Sequence, residues 1–428
     1  MSDDFKFETQ CLHAGQEPDP TTTSRGVPVY RTSSYVFKST EHAANLFGLK
    51  ELGNIYTRIM NPTQDVLEQR VAALEGGAAA LALASGTSGV YYSIINICSA
   101  GDEIVSANNL YGGTYTMFEN ILPQFDVHTK FVDPRDPNNF DGAVTEKTKA
   151  IFIETIGNPV LEFTDIEAVA TIAQKHHLPL IVDATFTSPY LLKSIEYGAD
   201  IVVNSLTKWM GGHGTGIGGV VVDAGKFDWK DPKFALFNEP DGSYHDIRYA
   251  HDLGDLNPVA FIMRMRLVPL RNLGACISPD NAWMFLQGLE TLPLRMERHC
   301  ENALKVAQYL KTHSGVQWVR YPGLEDDPTY PIASKYLNKG FGGMVVFGIR
   351  GGLAAGSKFV DSLGLFSNLA NVGDAKSLVL HPSSTSHSQL SEAQQKAGGL
   401  TPDLIRLSIG IEHVDDIIAD LDQAFAKV

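Results

Sequence analysis

Asp183 and Lys208 each stand just beyond an apolar run. Asp183 follows Leu180-Ile181-Val182, and Lys208 comes just after Ile201-Val202-Val203-Asn204-Ser205. Runs of this kind read as buried strands, and open parallel sheets carry their ligand crevice at the carboxyl ends of strands. A lysine and a carboxylate delivered there by neighbouring strands face one pocket. Taken singly, each is as well explained by a salt bridge at a sheet edge. Lys208 continues into Trp209-Met210-Gly211-Gly212-His213-Gly214, a backbone with little side-chain bulk that suits close approach by a flat ligand. Residues 214–219 match G-x-G-x-x-G in form only, because strand-like Val220-Val221-Val222 follows where a dinucleotide site requires a helix. A third feature is Ser85-Gly86-Thr87-Ser88-Gly89, between the apolar run 79–84 and the helical stretch 90–98. A small, polar strand-to-helix turn offers N–H groups and hydroxyls to an anion such as phosphate. On its own, this turn is ordinary helix capping.

The three features together describe one ligand. An aldehyde cofactor needs a lysine for its imine, a carboxylate to keep its pyridine nitrogen protonated, and an anchor for its phosphate. Pyridoxal 5'-phosphate has all three requirements.

The elements that must position these groups are legible as an alternation. Apolar runs at 79–84, 102–106, 150–154, 179–183, 200–204 and 219–223 alternate with helical patterns, the first of them at 63–74. This predicts an α/β fold with a mostly parallel sheet covered by helices on both faces. Residues 1–60 lack a sustained period and contain Pro18, Pro20 and Pro28, so they read as an extended N-terminal arm. The large cofactor domain spans 61–278, with an insertion at about 226–274 in which the stretch around 234–249 reads as a surface segment. A long amphipathic pattern begins after Pro279, and strand-like 342–347 and 404–409 place a smaller α+β domain at 279–428.

Composition limits the partners. Two domains are the natural expectation for 428 residues. The formal net charge of -15 repels a phosphate backbone and excludes nucleic acid as a partner class. The acidic, polar start is unlike a secretory signal, and no apolar run reaches the length of a membrane span. Cys11, Cys98, Cys276 and Cys300 are scattered without a Cys-x-x-Cys pair. They argue against a disulfide framework or zinc site and for a reducing cytoplasm.

Longer motifs make the reading specific. Ser205-Leu206-Thr207-Lys208, Leu110-Tyr111-Gly112-Gly113-Thr114, Gly157-Asn158-Pro159, Tyr56-Thr57-Arg58 and Arg406-Leu-Ser-Ile-Gly-Ile-Glu412 resemble the motifs of the cystathionine γ-synthase family of pyridoxal-phosphate enzymes. The resemblance implies the aspartate-aminotransferase-like fold, fold type I. It also implies roles. Lys208 forms the imine, Ser205 and Thr207 reach the phosphate, and Asp183 partners the pyridinium. Tyr111 stacks on the cofactor and relays protons. Ser85, Gly86 and Thr87 form the phosphate loop, and Asn158 touches cofactor and substrate. Arg406 forks onto the substrate carboxylate, and Tyr56 and Arg58 reach the neighbouring subunit's phosphate in a homotetramer built as a dimer of dimers.

Departures from the family pattern narrow the activity. Gly113 stands where the family's methionine γ-lyases carry a cysteine, and Asn371 where many relatives bind the carboxylate with serine. The segment 226–274 resembles the insertion of the O-acetylhomoserine sulfhydrylases. The implied reaction is γ-replacement of O-acetyl-L-homoserine by sulfide, free or from a sulfur-carrier donor, giving L-homocysteine and acetate. Cystathionine γ-synthase or γ-lyase activity is the alternative. The remaining candidates carry less. His176-His177 reads as a solvated helix end and Cys98 as core. His213 is a neighbour of the site or a backbone support. His381 and His387 flank the loop Ser383–Ser386, which the resemblance places near the pocket mouth.

Overall fold

The computed structural model describes residues 5–385 and 400–428. The large sheet consists of β1 (Ala79–Leu83), β2 (Glu103–Ala107), β3 (His128–Val132), β4 (Thr148–Glu154), β5 (Leu180–Asp183), β6 (Ile201–Ser205) and β7 (Gly219–Asp223). Its order is β1-β7-β6-β5-β4-β2-β3. Only β7 opposes its neighbours; the other pairings are parallel. Ile201, Val202 and Val203 are wholly buried, as are Leu180, Ile181 and Val182. Burial on both faces explains why these strands read as unbroken apolar runs.

The first helix of this layer, Pro62–Glu75, starts and stops where its sequence dictates. Asn61 caps it by accepting from the Thr63 N–H, Pro62 occupies the first turn, and Gly76 ends it with φ 75°. The second sheet holds β8 (Val316–Arg320), β9 (Met344–Ile349), β10 (Ser367–Asn368), β11 (Leu378–Leu380) and β12 (Leu404–Ser408) in the order β10-β11-β12-β9-β8. Helices Leu292–Thr312, Gly352–Ser362 and Val414–Phe425 pack Val306, Leu310, Phe359, Ile417 and Leu421 against its Val345, Phe347, Ile405 and Leu407.

Three features depart from the sequence reading. The N-terminal stretch contains helices Phe7–His13 and Thr40–Phe47. Phe7 and Cys11, four residues apart, lie on one helix face and are buried, with Phe7 edge-on to Tyr190 at 5.5 Å. The insertion is not merely superficial: its stretch around 234–249 exposes Glu239, Pro240 and Gly242 but anchors itself on buried aromatic side chains. Trp229 stacks on Phe237 at 4.4 Å and on Phe261 at 5.3 Å, and Phe234 and Tyr249 are buried with them. Finally, β3 and β8 are edge strands whose polar composition hid them among the loops.

The turn after β6 is held from below by Arg295. Its guanidinium donates to the carbonyls of Trp209 at 2.6 Å, Met210 at 3.1 Å and Gly288 at 2.6 Å. Gly212 permits this: at φ +70° its Cβ would stand 2.0 Å from Arg295 Nη1.

A buried polar pair links that strand to the first helix. Asn204 Nδ2 donates to Glu75 Oε1 at 2.7 Å, while Glu75 Oε2 and Asn204 Oδ1 are buried without partners. Burial raises the Glu75 carboxyl from 4.5 to about 8. A raised carboxyl binds its proton more tightly in the folded state, so its stabilising contribution is whole below about pH 4.5 and is lost as pH rises through 8. Glu75→Gln keeps the acceptor and has no proton to lose. Its melting temperature should overtake that of the parent as pH rises from 5 to 8.5, by an amount on the order of a few kcal/mol in stability. Parallel pH profiles for the two proteins would show that Glu75 does not titrate in this window.

Candidate active site

The carboxyl ends of β1, β4, β5 and β6 carry the chemistry. Asp183 ends β5 and Glu154 ends β4, in register with it. Ser85 follows β1, and Lys208 follows β6 by one turn, with Lys208 N–H donating to the Ser205 carbonyl at 3.2 Å. The two loops touch. A Cβ on Gly86 would stand 2.7 Å from Ser205 Cβ and 3.0 Å from its Cα, so only glycine lets the Ser85–Thr87 turn approach the lysine loop this closely.

Helix Gly86–Ile95 begins here with Ser85 as its cap. Ser88 N–H donates to Ser85 Oγ at 3.0 Å, and that hydroxyl also pairs with Ser88 Oγ at 2.8 Å. Ser85 is thus committed to capping in this structure, while exposed Thr87 and Gly86 form the open first turn. Thr207 Oγ1 exchanges hydrogen bonds with the Gly218 main chain at 3.1 and 3.2 Å. The glycine run 214–219 leads into β7, as its sequence context requires.

Three ionisable groups line the crevice, and none has an ion-pair partner among the described residues. Burial raises the Asp183 carboxyl; only Thr185 opposes the shift, its N–H donating to Asp183 Oδ1 at 2.9 Å. Burial, followed by the positive field of Arg406, lowers the Lys208 amine from 10.5 to about 8. Lys208 Nζ donates to Asn371 Oδ1 at 2.6 Å. Arg406, on β12 and 9% exposed, is lowered by burial to about 10, and its Nη1 donates to Asn158 Oδ1 at 3.4 Å. Among the described residues no carboxylate forms an ion pair with it. Tyr111 stands at the mouth, 52% exposed.

Other candidates fall elsewhere. Arg58 Nη1 donates to the Arg271 carbonyl at 2.5 Å, and its guanidinium lies 5.3 Å from the Tyr56 ring centroid. Within one chain this pair is thus bound to the insertion. His213 Nδ1 meets the Gly211 carbonyl at 2.6 Å, which is backbone support. His381 is buried between Ser384 Oγ at 2.8 Å and the Pro402 carbonyl at 2.9 Å. His176 pairs with Asp141 at 2.6 Å at a helix end. Ser386 and His387 lie outside the described residues. A cavity of about 480 Å³, lined by Asp200, Lys226 and Asp228, opens at the amino ends of β5 and β6 and contains none of the site residues.

Sequence reasoning missed two residues. Thr185 ties the ends of β5 and β6 together, since its Oγ1 also accepts the Ser205 N–H at 2.9 Å; its signal was the Asp-x-Thr turn spacing. Glu154 stands behind the run 150–153 as Asp183 stands behind 180–182, so the same local pattern marks it; what the sequence does not show is that the two strand ends lie side by side.

With this geometry in hand, comparison with known proteins is decisive. The family model for Cys/Met metabolism PLP-dependent enzymes matches residues 8–426. The chain belongs to this family. It is 54% identical to the O-acetyl-L-homoserine sulfhydrylase of Leptospira meyeri, covering 100% of this chain and 98% of that one. It is 51% identical to the homocysteine synthase of Schizosaccharomyces pombe, over 98% of this chain and 97% of that one. Its fold superimposes with a TM-score of 0.95 and 40% identity on a putative O-acetylhomoserine (thiol)-lyase from Campylobacter jejuni, covering 99% of this chain and 100% of that one. That crystal structure contains N'-pyridoxyl-lysine-5'-monophosphate.

The crevice fits the cofactor of the family. Asp183 is a carboxylate with no cation beside it among the described residues, suited to a protonated ring nitrogen. Lys208 is an amine brought toward neutrality, and the Gly86 turn offers N–H groups to a phosphate. Because only a neutral amine attacks an aldehyde, capture of pyridoxal phosphate by cofactor-free protein should rise with pH around a midpoint near 8. Arg406→Gln removes a cation and should move that midpoint upward. A midpoint near the ordinary lysine value of 10.5 would contradict the assigned environment.

Proposed function

We propose that this chain is an O-acetylhomoserine sulfhydrylase, converting O-acetyl-L-homoserine and sulfide into L-homocysteine and acetate. The observation that carries this reading is that relatives about half identical over their full length bear this activity in their names. The site chemistry agrees with it. Arg406, a buried guanidinium with no carboxylate partner, receives the substrate α-carboxylate in its planar fork. Asn158, already on Arg406, orients it. Bound through Lys208, pyridoxal phosphate supplies the electron sink for charge formed at the substrate Cα.

The chain moves the protons. Lys208, released as a free amine, takes the proton at Cα, would pass it to the bound cofactor and so become neutral again, and then takes the proton at Cβ, which frees acetate from Cγ and opens that carbon to sulfide. The same amine returns the protons afterwards. Asn371 Oδ1 holds that amine whenever it is free, the arrangement seen in the ligand-free chain. Asp183 keeps a negative charge beneath the ring nitrogen. Tyr111 covers the ring and relays protons, and Ser205, Thr207, Gly86 and Thr87 bind the phosphate, Thr207 by releasing its bond to the Gly218 carbonyl.

One contact favours replacement over a γ-lyase. A Cβ at position 113 would stand 2.5 Å from Tyr111 Cε1, so the side chain that γ-lyases of the family place there would displace this ring. Sulfide should therefore turn over O-acetylhomoserine far faster than cysteine does, with little α-ketobutyrate released. Comparable rates with cysteine, or dominant α-ketobutyrate, would shift the assignment to cystathionine γ-synthase or a γ-lyase. Lys208→Ala should cost roughly 10³-fold or more in turnover while leaving the cofactor phosphate bound weakly.

The working enzyme is a cytoplasmic homotetramer in which Tyr56 and Arg58 complete the neighbouring subunit's phosphate site. No described helix is long and apolar enough to cross a membrane. Leu52 and Val36, 72% and 97% exposed near this pair in sequence, support contact with a second copy. Arg58→Ala and Lys208→Ala chains should each be nearly inactive, and co-expression should restore up to about half of a normal dimer's rate in each hybrid. Hybrids verified by mass spectrometry that stay inactive would rule out a shared site.

A further inference from the structure

Glu154 occupies a position that the mechanism above does not use. It ends β4 directly beside Asp183 on β5, and paired residues of adjacent parallel strands project to the same side of the sheet, about 5 Å apart. Its side chain is 6% exposed. Oε1 accepts the Tyr111 main-chain N–H at 2.6 Å. Tyr111 itself begins the short helix Gly112–Thr116, and no side-chain cap holds that start. Its ring is half exposed and leans over Gly113. The Glu154 bond is thus the tether that ties the covering ring to the sheet bearing Asp183.

Two carboxyls side by side in a buried site cannot both be charged at modest cost. Asp183 is the favoured seat for the charge, with the Thr185 N–H on its Oδ1 and a window to the crevice. Glu154 has only the Tyr111 N–H, no cation acts on it, and Asp183 is the charged group that does. Burial and then Asp183 push its carboxyl well above the usual range.

We propose that Glu154 is a positioning residue of the active site: a neutral carboxylic acid that clamps the main chain at Tyr111, fixing the cofactor-covering ring while leaving the negative charge on Asp183. This inference rests on the pyridoxal-phosphate reading of the site, and not on the choice of ester or nucleophile. No proton leaves Glu154 during turnover. Its acid group acts through geometry and through the absence of charge.

The test uses Glu154→Gln, which keeps a neutral acceptor, and Glu154→Leu, which removes it. Infrared spectra of the cofactor-free parent at pH 8 should contain a protonated-carboxyl band that Glu154→Gln lacks. In the loaded enzyme, Glu154→Gln should leave the pH midpoint of cofactor absorbance within about 0.3 unit of the parent. Glu154→Leu should weaken the visible circular dichroism of the bound cofactor and lower kcat by about ten- to a hundred-fold, as expected for a misplaced ring. No difference in the carboxyl band, or a midpoint displaced by about one unit or more in Glu154→Gln, would mean a charged Glu154 and overturn the proposal. Unchanged dichroism and kcat in a folded Glu154→Leu would remove the clamp. If that variant does not fold, the band and the midpoint of Glu154→Gln still decide. A parent enzyme inactive with O-acetylhomoserine and sulfide, yet showing these spectra, would refute only the proposed reaction.

Discussion

The site depends on charges that the fold buries and does not pair. Among the described residues Asp183 has no cation and Arg406 no carboxylate as an ion partner, although each is enclosed by protein. An isolated buried ion costs several kcal/mol even after relaxation and water penetration. A structure evolved for stability alone would pair or discard such groups. Here they lie at opposite sides of one crevice, on β5 of the large sheet and β12 of the small one. A ligand with a protonated ring nitrogen on one side and a carboxylate on the other satisfies both. Binding energy that the empty chain withholds becomes available when cofactor and substrate meet.

Such charges stay in place only if their surroundings cannot relax toward them. The lysine loop is pinned by Arg295, which bonds two of its carbonyls and that of Gly288, and Trp209, wholly buried, closes it against His299 at 4.9 Å. Gly86 lets the phosphate turn lie directly on Ser205, and Thr185 bonds both Asp183 and the Ser205 main chain. The segment after Asn371 is fixed in turn, with Gly373 N–H on Ser408 Oγ at 2.9 Å and Ala375 N–H on the Gly212 carbonyl at 2.8 Å. Residues from both sheets therefore share one rigid frame, the arrangement that preorganised electrostatics requires.

Legibility in the sequence follows range. Lys208, Asp183 and the Ser85 turn were readable because an apolar strand followed by a polar turn is a local pattern. The six apolar runs each correspond to a strand for the same reason. What the sequence hid depends on contacts distant along the chain. Asn371 is 163 residues from the lysine it holds, and the Tyr111 N–H is 43 residues from Glu154. The insertion looked exposed because Pro240, Asp241 and Gly242 dominate its local composition. Its aromatic residues become a core only when Phe261 folds back on Trp229. The polar edge strands β3 and β8 were lost for the opposite reason, having one side and one edge in water.

The charges are also coupled to one another. Arg406 contributes to holding the Lys208 proton affinity down, to about 8. In the empty site this favours the neutral amine, the form that captures an aldehyde. When a carboxylate settles on Arg406, the cation is compensated and its field at Lys208 weakens. In the proposed reaction, the amine then regains proton affinity at the stage where it takes a proton from the substrate carbon. A single guanidinium so serves two stages that need opposite properties of the same lysine. On the proposed reading of the site, a carboxylate held by Arg406 on the second sheet is felt at Lys208 through space.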